Sequence, residues 1–485
     1  MIFNSFTYLL FLALVCAFYW SLGRAARLFM LLGASIVFYG FWNFYFVPLL
    51  FVSILVDYFA GIIIHGTENA RKRKAFLLLS LFANFTLLAF FKYYYFVMDN
   101  SVAASRLLGI EWNPTLMAVL LPIGISFYTF QSVSYTIDIY RRQIKPTRDF
   151  TLFASYVTFF PQLVAGPILR ASEVMWQLEQ RPRFEMSMVT YGVARILGGL
   201  ALKVLLADNI AASVNLGFAA NPSQLSVIDV STLAFLFGFQ IYFDFAAYSH
   251  IALGSAWIMG IKFPENFNFP YHARSPRGFW RSWHISLSSW IRDYLYLPLM
   301  GLTGGHSSTG GIAQRVDIST MRTSFALFAT WAIMGLWHGS NWTFVFWGLW
   351  HATIIFGHRV ISKEFENKPT PAILSATGSA LSLYLIMLSW IPFRAEGMAE
   401  ALAMLAAFTD PSRWLFMGMR ENTYLVAAMV SVVAALGPLF WNAVKKFREY
   451  PSFAGNLVLW VTTTLIAAAT LVYLRPLDQF IYFQF

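Results

Sequence analysis

Twelve apolar runs, each roughly 20 residues long, follow one another along this chain. Because about 20 apolar residues are needed to cross the hydrocarbon of a bilayer as a helix, each run predicts a membrane-spanning helix. The runs are 5–22, 27–43, 46–65, 75–97, 116–137, 187–206, 226–248, 323–340, 342–360, 372–392, 423–442 and 455–474. Two partly polar segments, 151–168 and 279–300, predict re-entrant or interfacial helices. We therefore expect an all-α integral membrane protein with roughly 11–12 transmembrane helices.

The composition excludes a soluble protein. Of the 485 residues, 58% are hydrophobic and 12% are charged, whereas soluble domains carry roughly a quarter charged residues. The first apolar run has no basic leader and no small-residue cleavage site, so we expect it to be a retained span. The Gly/Ser-rich stretch Gly304–Gly311 indicates a short linker rather than a domain boundary. We expect one polytopic domain over 1–485, with a catalytic core within 116–360.

The basic residues predict how the spans are oriented. The net charge is +11, and clusters of Lys and Arg follow the third, fifth and eleventh runs, at 71–74, 141–148 and 445–448. The alternate loops, 98–114 and 207–225, are poor in both residues. Because short cytoplasmic loops are enriched in Lys and Arg, the odd-numbered exits are expected in the cytoplasm and the N-terminus outside. This distribution favours topology over nucleic acid as the reason for the charge, although the loops could also hold an anionic donor.

An aromatic and histidine-rich block, Gly278–His358, is where the sequence concentrates chemically useful side chains. Read as one helix, Phe279–Tyr296 has polar residues on one face at steps of three and four. They are Arg281, His284, Ser288 and Arg292. Two interpretations remain open: a helix in the membrane interface, or a helix that lines a polar funnel.

The second half of the block places His338 within an apolar run. A histidine in a span marks a functional site by default, and a hydrogen-bonded packing histidine is the alternative. A neutral imidazole can take a proton from a hydroxyl near neutral pH, as acyl transfer to an alcohol requires. No cysteine or carboxylate cluster completes a coordination shell with His338 and His351, so we expect no metal. No GxSxG motif is present, which disfavours a serine triad.

Polar residues and prolines inside apolar runs predict further buried structure. Asp244 lies in the seventh run, where a charge needs a partner, and interhelical bonding is favoured over catalysis. Asp293 is expected to pair with an arginine. Pro161 and Pro167 predict non-helical backbone over Phe160–Ile168, beside an internal cavity.

Six stretches in one order carry a family resemblance. They are LPIGISFYTFQSVSYTIDIYR, FFPQLVAGPI, FPENFNFPY, FWRSWHISLSSWIRDYLYLPL, LWHGSNWTFVFWG and FIYFQF. Together they resemble the membrane-bound O-acyltransferases, in particular the bacterial branch that serves alginate O-acetylation and teichoic-acid D-alanylation. The sequence departs from the branch at Ala246, Ala247 and His250, where the pattern has Ser, Gly and Asp, and at PLMGLTGG, where it has PLGGNR.

The resemblance implies two active-site histidines that meet in a central funnel. His338, in the WHG motif, would be the general base or proton relay, and His284, in the FWRxWH motif, would position or polarise the donor carbonyl. The implied donor is acetyl-CoA or an acyl-carrier thioester in the cytoplasm, with no tightly bound cofactor. Four further residues are expected to bind substrate: Arg281, Ser288, Trp337 and Asn341.

We therefore expect an O-acyltransferase in the bacterial plasma (inner) membrane. It would move an acyl group, acetyl rather than D-alanyl, toward the hydroxyls of an extracytoplasmic polysaccharide. Its expected partners are membrane lipid and an extracytoplasmic acetyltransferase or polysaccharide-modifying protein, with no nucleic acid. The alternatives are D-alanyl transfer to teichoic acid, a proton-coupled transporter or flippase, and a scaffold that recruits a soluble acetylase.

Overall fold

The computed structural model describes residues 1–180, 182–302, 321–364, 371–449, 453–473 and 480–481. Over these residues the chain is a bundle of helices without a strand, as expected from the sequence. The expected linker Gly304–Gly311 and most of the terminal FIYFQF lie outside the described residues.

The helices are numbered in chain order. They are α1 (Phe6–Ser21), α2 (Arg24–Asn43), α3 (Val47–Gly66), α4 (Ala70–Leu107), α5 (Ile125–Tyr140), α6 (Phe150–Thr158), α7 (Ala171–Glu179), α8 (Met186–Ala201), α9 (Asp208–Phe218), α10 (Val227–Ile258), α11 (Pro276–Trp280), α12 (Ile285–Ile291), α13 (Leu297–Leu299), α14 (Met321–His338), α15 (Trp342–Glu364), α16 (Ala372–Leu388), α17 (Trp390–Arg394), α18 (Met398–Leu405), α19 (Glu421–Glu449) and α20 (Phe453–Tyr473). Two π-helical turns, Leu202–Ala207 and Arg292–Tyr296, join α8 to α9 and α12 to α13.

Each of the twelve apolar runs overlaps a helix, which confirms the all-α membrane architecture. Among the described residues, seven helical stretches are long and apolar enough to cross a membrane, and one of them, Arg24–Gly66, contains two of the runs. The fifth run was predicted from 116, but α5 begins only at Ile125. The preceding segment is non-helical because Pro122 interrupts it and Gly124 adopts a left-handed φ of +78°.

The centre of the bundle is α10, which is mostly buried. The helices that carry the histidine-rich block, α14 and α15, approach each other at two glycines. A Cβ at Gly335 would lie 2.1 Å from the carbonyl oxygen of Phe344, and a Cβ at Gly348 would lie 2.1 Å from that of Trp331. Small residues at such crossings let the two backbones come into contact, and this fixes the end of α14 against α15.

Polar contacts between helix ends divide the ends into two groups, as alternating spans require. One group contains the basic ends, and its contacts are Arg24 with Glu179, Arg73 with Tyr140, Arg142 with Glu68 and Gln177 with Lys262. The contacts of the other group are Tyr95 with Met117, Trp342 with Asn100, Asn341 with Glu396 and Arg394 with Asn215. Each pair joins ends that the charge pattern assigned to the same side.

Asp244 on α10 has the partner that its buried position requires. The Lys203 ammonium lies 2.7 Å from one Asp244 oxygen and 2.8 Å from Asp208, and both Lys203 and Asp244 are 2% exposed. The other Asp244 oxygen accepts from the main-chain N–H of Ile481 at 2.8 Å. The structure therefore confirms the structural interpretation of Asp244, which joins α10, the π turn after α8 and the end of the chain.

Replacing Lys203 should destabilise the fold, because Asp244 would remain buried without a cation. We expect Lys203→Met to cost about 3–5 kcal/mol of unfolding free energy. The measurement is the temperature at which detergent-solubilised protein ceases to be monodisperse.

The double variant Lys203→Met/Asp244→Asn should recover most of that loss, since an amide oxygen still accepts from Ile481 without a buried charge. Lys145→Met, at an exposed loop lysine, is the matched control and should change little. A single variant that is as stable as the double variant would rule out this role for the ion pair.

Candidate functional site

The segment that carries His284 is a broken helix. Helix α11 ends at Trp280 and α12 begins at Ile285, and His284 between them has a φ of +42° in the left-handed region. The prediction of one continuous helix over Phe279–Tyr296 is therefore wrong. Its reason is a set of bonds across the break: Ile285 N–H donates to the carbonyl of Asn266 at 2.9 Å, and Asn268 N–H donates to that of Ser282 at 2.9 Å.

The break separates the polar residues that a continuous helix would align. Arg281 is exposed, whereas His284 is 1% exposed. The Ser288 hydroxyl donates to the Trp283 carbonyl at 3.1 Å, and Arg292 bonds Asp293 at 2.7 Å. Arg281 is thus exposed away from buried His284, whereas Ser288 bonds the backbone of His284 and Trp283. The predicted part of Arg281 and Ser288 in substrate binding stays a prediction.

His284 lies in an aromatic enclosure with one polar wall. Its ring meets Phe245 edge-on at 4.6 Å between centroids and stacks on Phe267 at 6.4 Å. Its Nδ1 lies 3.2 Å from Oδ1 of Asn266, which is itself 1% exposed. Asn266 was quoted in a family motif, but no role was predicted for it.

His338 is the last residue of α14 and is 7% exposed. Its ring makes edge-to-face contacts with Trp347 at 5.0 Å and Phe393 at 5.3 Å. The Trp337 indole lies 4.9 Å from the His338 ring and 6.3 Å from the His284 ring, so it contacts both. The two histidines that were predicted to meet therefore both lie beside one indole.

A cavity of about 270 Å³ reaches His338. Its wall is formed by the ends of α2 and α14, the second half of α4, the non-helical segment before α5, the first turn of α5 and Val164. The lining residues are Trp42, Lys92, Leu120, Leu121, Pro122, Ile123, Gly124, Ile125, Ser126, Phe127, Val164, Trp337 and His338. Trp337, predicted to bind substrate, lies in this wall, whereas His284 is not among the lining residues.

Lys92 on α4 holds the end of α14 beside this cavity. Its ammonium donates to the carbonyl of Trp337 and, at 3.2 Å, to that of His338, while the neighbouring Tyr93 hydroxyl donates to Leu336 at 2.8 Å. The last carbonyls of a helix have no partner within it and carry partial negative charge, so a cation stabilises them. The sequence contained one signal for Lys92, a lysine inside an apolar run, which our prediction did not use.

His351, the third buried histidine of the block, has both ring nitrogens occupied. The indole N–H of Trp280 donates to Nδ1 at 3.3 Å, and Nε2 lies 2.9 Å from the Ser389 hydroxyl, which donates onward to the Ile386 carbonyl. His351 is thus a packing residue between α11, α15 and α16. Over the described part of the chain, no group of three or more His, Cys, Asp or Glu residues is arranged to hold a metal ion.

The irregular backbone predicted beside a cavity is present. Phe159–Leu169 is non-helical and buried, and side chains of three helices bond its main chain. Phe160 N–H donates to Ser35, Ala165 N–H to Tyr248 and Ile168 N–H to Ser286.

Asp293 and Asn341 have structural contacts. The predicted arginine partner of Asp293 is Arg170, at 2.6 Å, together with Arg292. The Asn341 side chain accepts from Thr343 N–H at the start of α15 and donates to the Glu396 carbonyl. It is partly exposed, and its predicted contact with substrate stays a prediction.

The chain is similar to known membrane-bound acyltransferases. Residues 140–393 match the membrane-bound O-acyltransferase family, MBOAT. The chain is 34% identical over 455 residues to the probable alginate O-acetylase of Azotobacter vinelandii, covering 93% of this chain and 86% of that protein. It is 35% identical to the Pseudomonas aeruginosa protein of the same name, covering 93% and 83%. It is also 35% identical over 402 residues to the peptidoglycan O-acetyltransferase of Helicobacter pylori, covering 77% and 72%.

The match to the family spans more than half of the chain and includes both α11–α12 and the end of α14, where His284 and His338 lie. The relatives align over nearly the whole length of the chain. The helical bundle and the apolar spans fit the same assignment. The chain therefore belongs to the membrane-bound O-acyltransferase family and is a multi-pass membrane O-acyltransferase.

Proposed function

We propose that this chain moves acetyl groups from a thioester donor on the cytoplasmic side of the bacterial inner membrane toward hydroxyls of an extracytoplasmic polysaccharide. The names of the relatives support acetyl and a saccharide acceptor, since they act on alginate and on peptidoglycan. The acceptor is then a polymer with free hydroxyls, and acetyl is favoured over D-alanyl. An extracytoplasmic acetyltransferase or polysaccharide-modifying protein would complete delivery to the polymer.

The observation that carries the proposal is the position of His338 at the wall of a cavity, with aromatic rings on its other sides. An imidazole there can accept the proton of an alcohol that enters the cavity. The alcohol oxygen attacks the thioester carbonyl, a C–O bond forms and the C–S bond breaks. The alcohol proton passes to His338 and from there to the departing thiolate, so His338 is the general base or relay.

The chemistry does not require a covalent acyl-enzyme. A thioester is already reactive, whereas an alcohol becomes a good nucleophile only as its proton leaves. The apolar and aromatic wall keeps bulk water from the thioester. Hydrolysis of the thioester by water therefore competes less with attack by the acceptor hydroxyl. His284 is the second active-site histidine of this proposal, beside the Trp337 indole.

Sidedness follows from the distribution of charge. The group of helix ends that contains Arg71, Lys72, Arg73 and Lys74 is the basic one, which supports a cytoplasmic location for it. Lys92 lies 22 residues beyond Ala70 on the same helix, about 33 Å along its axis at 1.5 Å per residue. The His338 cavity is therefore proposed to open toward the extracytoplasmic side, where the acceptor would arrive.

Replacing His338 tests the proposed role directly. We expect His338→Gln to lower acetyl transfer at least about 100-fold, since a positioned general base contributes a factor of this order. The measurement is acetyl transfer from labelled acetyl-CoA, or from an acetylated carrier, to polymer in membranes that contain a known amount of folded enzyme.

His358→Gln is the matched control, because His358 is a partly exposed histidine on α15 that bonds Ser362. It should retain wild-type transfer. Full transfer by folded His338→Gln would exclude His338 as base. Wild-type membranes that neither hydrolyse the thioester nor transfer its acetyl group would instead favour the transporter or scaffold.

The single native cysteine, Cys16, allows a clean test of sidedness. Two variants, Asn113→Cys and Arg71→Cys, each introduce one cysteine into a Cys16→Ser background. Asn113 lies in the exposed segment that leads to the cavity, and Arg71 lies at the basic end of α4. We expect a membrane-impermeant maleimide to label Asn113→Cys in intact spheroplasts, and Arg71→Cys only after the membrane is permeabilised. The reverse pattern would invert the proposed direction of transfer.

A further inference from the structure

We propose that Asn266 is a positioning residue that holds neutral His284 in the tautomer with its hydrogen on Nδ1, so that Nε2 is the proton-accepting atom. The proposal rests on the proposed function for its chemistry, and it assigns His284 a different part in it. From the sequence, we expected His284 to position or polarise the donor carbonyl. A neutral ring held in this way cannot donate a hydrogen bond from Nε2, and it can accept a proton there.

The geometry begins with three donors that converge on one oxygen. Oδ1 of Asn266 lies 3.2 Å from Nδ1 of His284, 3.2 Å from the Ser286 main-chain nitrogen and 2.9 Å from the Ser286 hydroxyl. On its other side, Nδ2 of Asn266 donates to the Ser249 hydroxyl at 3.1 Å. Asn266, His284 and Ser249 are all buried.

The Ser286 main-chain N–H determines the orientation of the Asn266 side-chain amide. A main-chain N–H can only donate, so the Asn266 atom that faces Ser286 N–H is the oxygen. Turning the amide over would place its NH₂ group against that N–H. The same oxygen faces Nδ1 of His284, which must therefore carry the hydrogen, and a neutral imidazole then has its lone pair on Nε2.

The backbone conformation of His284 helps to keep its ring in contact with Asn266. His284 adopts a left-handed conformation, which is unfavourable for a residue other than glycine and persists only where the surroundings impose it. The Asn266 carbonyl accepts from Ile285 N–H at 2.9 Å, so one residue binds both the side chain of His284 and the backbone next to it.

The remaining walls of the ring are aromatic. Phe245 and Phe267 contact it, and the Trp337 indole, which lines the His338 cavity, lies 6.3 Å from it between ring centroids. His338 is the titratable residue that shares this indole, whose centroid is 4.9 Å from the His338 ring and 6.3 Å from the His284 ring. A substitution at Asn266 is therefore expected to change acetyl transfer by changing the proton affinity of His284.

The test replaces Asn266 by its near-isostere. In Asn266→Asp a carboxylate oxygen still accepts from Nδ1, and the Ser249 hydroxyl can rotate to donate to the other oxygen. The added negative charge favours the protonated ring, which cannot accept a proton. We therefore expect the acid limb of the pH–rate profile for acetyl transfer to move to higher pH by about 1 unit or more. Asn266→Ala, which removes the acceptor, should lower transfer at least about 10-fold at every pH.

Ser249→Ala is the matched control, because it removes the partner of Nδ2 and leaves Oδ1 in place. Its acid limb should coincide with that of the wild type. A merely structural Asn266 would reduce the amount of folded enzyme while the profile of the surviving enzyme stayed unchanged. That outcome in Asn266→Asp, or wild-type transfer by Asn266→Ala, would overturn the proposal. Absence of transfer by the wild type would instead mean that the proposed function fails.

Discussion

The hydrocarbon of a bilayer offers no hydrogen bonds to a main chain, and this constraint determines where a site can be built in this protein. Helices satisfy their own backbone, which accounts for most of the described residues. The segment Phe159–Leu169 does so only in part, and further main-chain N–H groups in it donate to Ser35 of α2, Tyr248 of α10 and Ser286 of α12. Irregular backbone is thus enclosed by helices at the centre of the bundle, where shaped, polar surroundings can be held away from lipid.

The same constraint governs charged side chains. Lys203 is placed between two aspartates, and Arg170 is paired with Asp293, so these buried charges meet opposite ones. Lys92 is treated differently, since carbonyls at the end of α14 accept from its ammonium. These buried charges are thus compensated in two ways: by ion pairs that join helices, and by bonds from the Lys92 ammonium to the helix end on which His338 lies. Lys92 also lines the cavity, so this structural contact forms part of the cavity wall.

Periodicity and length were enough to predict the helices, because apolar runs of bilayer length have one stable solution. They also located the buried histidines and the non-helical Phe160–Ile168, since prolines in an apolar run require protein partners. The break at His284 was not predictable, because Phe279–Tyr296 has a consistent helical pattern and its interruption depends on bonds from Asn266, in a separate segment. The start of α5 was misplaced for a similar reason: residues 116–124 are apolar, but their main chain is bonded by Tyr94 and Tyr95 of α4.

The three buried histidines of the block show why residue type alone could not assign their roles. Both ring nitrogens of His351 are hydrogen-bonded, one to Trp280 and the other to Ser389, so the ring has a structural role. His284 has one nitrogen fixed by an amide whose own orientation is fixed by a main-chain N–H, which leaves the other nitrogen with a defined character. His338 is held through its backbone and enclosed by aromatic rings, and it faces a cavity. The pattern of partners, rather than the presence of an imidazole at depth, separates a structural histidine from one that can exchange a proton with a substrate.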